Sequence, residues 1–78
     1  MNIKIIGSGC DNCNKLYTNA WAALVRSGRE AELERVEDLL EIVKLGVMAV
    51  PALMIDGKLV VSGRVADEEE IRKLIEKA

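Results

Sequence analysis

The sequence predicts an α/β domain of order β-α-β-α-β-β-α, in which a four-stranded mixed sheet is flanked by three helices. Three observations carry that expectation. A short apolar run rich in β-branched residues opens the chain and stops at Gly7-Ser8-Gly9. The dipeptide Asp56-Gly57 separates two further apolar runs, and Asp67 with Glu70 marks the start of a closing amphipathic segment. With 78 residues, half of them apolar, residues 1–78 make a single domain with a modest core.

Ile3 to Ile6 reads as a buried strand, and the glycine-rich stop reads as the loop that follows it. From about Asp11 to Ser27 the apolar positions Leu16, Ala20, Ala23 and Leu24 recur at helical spacing, with Gly28 where a C-terminal cap belongs. Glu30 to Val36 alternates through Ala31, Leu33 and Arg35, which predicts a strand whose register the pattern leaves open. Asp38 caps a short helix with Glu41 at its third position, Leu39, Leu40, Ile42 and Val43 supply its apolar surface, and Gly46 closes it.

Ala52 to Ile55 and Lys58 to Val61 flank Asp56-Gly57, a pair that tolerates the positive φ angles of a two-residue hairpin turn. The last helix starts at the Asp67/Glu70 capping box. Its stripe is Ile71, Leu74 and Ile75, and Lys73 and Lys77 complement its negative end. The first β-α-β unit is expected to be parallel and the hairpin antiparallel, with helices on both faces of the sheet.

Cys10-Asp11-Asn12-Cys13 contains both cysteines of the chain and falls where the first strand hands over to the first helix. A four-residue disulfide ring restricts the unfolded chain by only about 2 kcal/mol on the loop-entropy scale. Reversible redox chemistry or metal capture is therefore a stronger reason for the pair than stabilisation. The first cysteine lies at the carboxyl end of a strand, where open α/β sheets usually place their chemistry.

Composition excludes several classes. Eleven basic and thirteen acidic side chains give a net charge of −2 with no basic stripe, and Tyr17 and Trp21 are the only aromatics, so nucleic acid is not an expected partner. No apolar run approaches the roughly 20 residues of a membrane span. The opening residues lack the pattern of a secretory signal, and the expected location is the cytoplasm. In that reducing compartment a cysteine pair is more often catalytic or metal-binding than a permanent staple.

These parts together resemble the thioredoxin-like superfamily, and within it the small glutaredoxin-sized redox proteins of archaea and bacteria. The resemblance covers essentially the whole chain and rests on C-D-N-C after the first strand, V-P-A-L before the third, I-D-G-K at the hairpin and the terminal helix. It implies a protein dithiol–disulfide oxidoreductase in which Cys10 attacks as a thiolate and Cys13 resolves the mixed disulfide. The free N–H groups and macrodipole at a helix start favour that thiolate by about 0.3 to 1 kcal/mol, and Asp11 opposes it by a similar amount. A reducing or balanced dithiol is the expectation.

The resemblance further implies that the Val50-Pro51 bond is cis, that Pro51 sits opposite the cysteines and that the Val50 backbone pairs with an extended substrate. The partners implied are protein disulfide substrates and a thioredoxin-reductase-like flavoprotein or other dithiol reductant, with the protein a monomer. No organic cofactor and no metal are expected, the redox-active Cys10–Cys13 disulfide serving instead. The chain departs from thioredoxins in Gly9 before the first cysteine, in Asp11-Asn12 between the two, and in having no evident buried acid beneath the site.

The alternative is a copper(I) or soft-metal carrier, since two thiolates suit such an ion. Carriers of that kind follow β-α-β-β-α-β and end in a strand, whereas this chain is expected to end in a helix. Zinc needs about four ligands, and the chain has no histidine. Tyr17 and Trp21 are expected to pack on the sheet, and Met48 and Met54 to fill gaps in the core.

Overall fold

The computed structural model describes residues 1–7 and 11–78. Its elements run β1 (Asn2–Ile6), α1 (Asp11–Ser27), β2 (Glu32–Val36), α2 (Leu39–Lys44), β3 (Ala52–Ile55), β4 (Lys58–Ser62) and α3 (Glu68–Lys77). The order along the chain is the expected one, and the four strands form one mixed sheet arranged β2-β1-β3-β4.

β1 and β2 are parallel, with Ile3 opposite Leu33 and Ile5 opposite Arg35, while β1 pairs with β3 antiparallel. The sheet therefore places the carboxyl ends of β1 and β2 at the same edge as the start of β3. Glu30 and Ala31, assigned to the second strand by their alternation, precede it. Pairing starts only where Glu32 donates its N–H to the Met1 carbonyl at 2.9 Å.

Alternation along the strands divides the core in two. Ile3, Ile5, Leu53, Ile55 and Val61 meet Leu16, Ala20 and Ala23 of α1 and Ile71 and Ile75 of α3 on one face. Ile6, Ala52 and Met54 meet Ile42 and Val47 on the other. A slip of one residue in β1 or β3 would exchange these sets, so burial fixes the register. Among the described residues, the second face is covered by the six-residue α2 and the segment after it through Val47, and Leu39, Leu40 and Val43 of that helix remain exposed.

The turns follow their chemistry. Asp56 and Gly57 both have positive φ, 49° and 81°, as the tight hairpin requires. Across that hairpin the pairing steps from Leu53 opposite Val61 to Met54 opposite Leu59, so Val60 is an extra residue in β4. The bulge directs both Val61 and the partly buried Val60 to the face of α1 and α3. At α3, the Asp67 carboxylate accepts the Glu70 N–H at 2.8 Å, and at α2 Asp38 accepts from Leu40 at 3.0 Å.

Two packing expectations are corrected. Trp21 is 56% exposed on the outer side of α1, and only Tyr17 of the aromatic pair packs against the core. The face of α1 toward the sheet is occupied by Cys13, Leu16, Ala20 and Ala23, and Trp21, one residue past Ala20, turns about 100° away from that stripe. Met54 fills the core as expected, whereas Met48 is 98% exposed in the loop before β3.

Candidate active site

Cys13 begins the buried stripe of α1, which continues through Leu16, Ala20 and Ala23. The spacing of three, seven and ten residues turns Cys13 toward the sheet. The side chain is fully buried and disulfide-bonded. Cys10, the expected attacking residue, and the preceding Ser8-Gly9 lie outside the described residues.

Gly7 ends β1, and its N–H is held by the Val36 carbonyl at 2.9 Å. Its φ of +142° suits glycine and disfavours any L side chain. A Cβ added there would fall on the Cys13 sulfur, closer than real Cβ atoms ever approach, and would lie 3.5 Å from the Val50 Cβ. One point in space is thus bordered by the end of β1, the first turn of α1 and the loop before β3. The bare Gly7 backbone is the seat of the Cys13 sulfur, and Val50 stands beside it.

The Val50-Pro51 peptide bond is cis. Val50 is 47% exposed and Pro51 is buried. Hydrogen bonds from the end of β4 hold this loop: Gly63 donates its N–H to the Pro51 carbonyl at 2.9 Å, and the Ser62 hydroxyl donates to the Ala49 carbonyl at 3.4 Å. Gly63 itself has φ +73°, and a Cβ there would stand 3.1 Å from the Ala49 Cβ. The role of Gly63 is accordingly to anchor the proline loop from behind, a long-range contact that the sequence does not reveal.

One charged residue at this edge escaped the sequence reading. Arg35 donates from Nη1 to the Asn14 Oδ1 at 3.1 Å, forms an ion pair through Nη2 with Glu37 at 3.1 Å and lies 5.5 Å from the centre of the Tyr17 ring. Asn14 directly follows Cys13. The available signal was the alternation of Ala31, Leu33 and Arg35, which turns a guanidinium toward α1. The carboxylate in the first turn of α1 is Asp11, which is exposed.

Among the described residues, no group of three or more His, Cys, Asp or Glu is placed to hold a metal ion, and no helix is long and apolar enough to cross a membrane. A buried, disulfide-bonded cysteine in the first turn of a helix, seated on a bare strand end beside a cis-proline loop, defines a thiol–disulfide exchange domain.

Comparison with known proteins agrees with that class. Residues 1–76 match the family described as thioredoxin domain. The chain is 43% identical over 75 residues to a thioredoxin of Methanothermobacter thermautotrophicus, covering 96% of this chain and 97% of that protein. It is 35% identical over 71 residues to a thioredoxin of Methanocaldococcus jannaschii, covering 91% and 81% respectively. The chain belongs to the thioredoxin domain family and is a protein thiol–disulfide oxidoreductase. Its reaction partners are, in general terms, protein disulfides and a reductase.

Proposed function

We propose that Cys10 and Cys13 form the exchanging pair, with Val50 and Pro51 as the substrate-facing loop. In the reducing direction the Cys10 thiolate attacks one sulfur of a substrate disulfide. A mixed disulfide forms and the other substrate sulfur leaves as a thiolate, which takes a proton from solvent. Cys13, having lost its proton, then attacks the Cys10 sulfur and expels the second substrate thiol. The substrate disulfide gains two electrons and two protons, and the protein pair becomes a disulfide.

An external dithiol, for which a thioredoxin-reductase-like flavoprotein is the candidate, returns the pair to the reduced state. The electrons reside in the sulfurs, so the reaction calls for no bound organic cofactor. A monomer acting in the cytoplasm, where thiols are kept reduced, suits this cycle.

The observation that supports these assignments is the convergence of Cys13, Gly7 and Val50 around one point. A resolving cysteine should be sheltered from solvent thiols and oxidants yet lie next to the substrate-facing loop, and Cys13 has both properties. A metal clamp would instead need both sulfurs available together.

The test is the pH profile of alkylation of the reduced, metal-free protein, with mass spectrometry reporting Cys10 and Cys13 separately. The expected result is selective modification of Cys10 with an apparent pKa below about 8.5, while Cys13 is protected. Equal rates with ordinary pKa values at both sulfurs would overturn the assignment.

A further inference from the structure

We propose that Arg35 is a positioning residue of the exchange site, a fixed cation that favours the thiolate form of the dithiol. The proposal rests on the reading that Cys10 and Cys13 exchange disulfides, and it assigns to that pair an electrostatic partner outside the cysteine motif.

Arg35 reaches the site through the sheet. It pairs with Ile5 in register, and its neighbour Val36 accepts the N–H of Gly7, the residue on which the Cys13 sulfur sits. The guanidinium is fixed by Asn14, by Glu37 and by the Tyr17 ring face, so its charge is held at the side chain of Asn14, the residue that follows Cys13 in the first turn of α1. Its side chain is 25% exposed, and its Nε is buried without a hydrogen-bond partner among the described residues.

Burying that N–H unsatisfied opposes folding. An apolar side chain at the same inward position would extend the stripe of Ala31 and Leu33 without that penalty, so packing alone does not account for a guanidinium here. Its charge does: a guanidinium stays protonated at every pH at which thiols titrate, and a partly buried cation acts on nearby sulfur with less solvent screening than an exposed one.

The surrounding groups set the sign and limit the size of the effect. From α1, Asp11 opposes thiolate formation, Lys15 is exposed and adds only a strongly screened positive charge, and Asn14 and Tyr17 face the guanidinium as neutral groups. From β1, the register neighbour Ile5 is apolar. Glu37 neutralises part of the Arg35 charge, which supplies a control of opposite sign. Arg35 thus offsets Asp11, the acidic residue between the two cysteines.

The experiment measures the pH–rate profile of alkylation and of protein-disulfide reduction for R35M, R35K and E37Q, with thermal melts reporting folding. R35M is expected to lower the alkylation rate at pH 6.5 by about three- to ten-fold through a rise of roughly half to one unit in the thiol pKa. R35K should recover most of that loss, and E37Q should move the profile toward lower pH. Should R35M fold poorly, the E37Q shift carries the test, because it retains the guanidinium.

A profile unmoved in both R35M and E37Q would overturn the proposal, as would equal losses in R35M and R35K without any shift in pH. These outcomes are separable from failure of the exchange reading. In that case Cys10→Ser would leave disulfide reduction intact, whatever residue stood at position 35.

Discussion

Replacing Gly7 by alanine perturbs the point at which strand, helix and proline loop meet, and the cost can be worked from the structure. The backbone φ of +142° is one an L residue adopts only under strain, worth about 1 to 3 kcal/mol. The new Cβ also falls on the Cys13 sulfur, with the Val50 and Cys13 Cβ atoms at 3.5 and 3.6 Å, and the fully buried Cys13 has little freedom to give way. Overpacking of this kind costs about 1 to 3 kcal/mol.

The sum, about 2 to 6 kcal/mol, is a large part of the roughly 4 to 12 kcal/mol that a 78-residue domain commands. Urea unfolding followed by far-ultraviolet circular dichroism, in reducing buffer throughout, measures it. The double mutant with Cys13→Ala separates the two causes. Removing the sulfur should relieve the overpacking and leave the strain, giving a coupling energy of about 1 to 3 kcal/mol. A Gly7→Ala protein within about 0.5 kcal/mol of the parent, or additive single mutants, would refute the assignment of Gly7 as the seat of Cys13.

Other outcomes follow from separate parts of the molecule. Arg29 donates to the carbonyls of Ile75, Glu76 and Ala78 and so caps the end of α3, and Arg29→Ala should cost about 1 kcal/mol in urea unfolding. Gly63→Ala should cost about 1 to 3 kcal/mol through its positive φ, and disulfide reduction should slow as the Pro51 anchor shifts. Trp21→Ser should change stability by less than about 0.5 kcal/mol, because the indole stands outside the core.

The pH dependence of stability has a definite sign. A hydrogen bond from Arg64 holds the Glu70 carboxyl below the usual glutamate range, and one from Arg72 does the same for Glu69. Groups depressed in the folded state stabilise above their unfolded pKa, so stability should fall as pH drops from the ordinary glutamate value toward the lower folded one. Urea midpoints between pH 7 and pH 3 should show a flatter fall in Arg64→Met than in the parent. High salt should reduce the difference, since these pairs are exposed.

Much of the architecture was legible because local signals agreed with one another. The Asp67/Glu70 cap, the Asp56-Gly57 turn and the Leu16, Ala20, Ala23 and Leu24 spacing each depend on residues close in sequence, and each forms as its chemistry dictates, with Leu24 only partly buried. What the sequence could not show depends on register between distant segments. The start of β2 is set by its pairing with Met1, the bulge at Val60 by packing against α1 and α3, and the exposure of Trp21 by which face of α1 the sheet covers.

The site divides in the same way. Cys13, Val50 and Pro51 could be singled out from motif and resemblance. Gly7, Gly63 and Arg35 act through contacts with residues 6, 12 and 21 positions away, visible only once the chain is folded.

The most direct measurement for the proposed pair is the trapping of a mixed disulfide with a protein substrate, comparing Cys13→Ser with Cys10→Ser and mapping the linkage by mass spectrometry. With Cys10 as nucleophile and Cys13 as resolver, Cys13→Ser should accumulate a covalent adduct through Cys10, Cys10→Ser should accumulate essentially none, and the parent should turn over without accumulation. Adducts formed equally through either cysteine, or reduction that continues in Cys10→Ser, would contradict it.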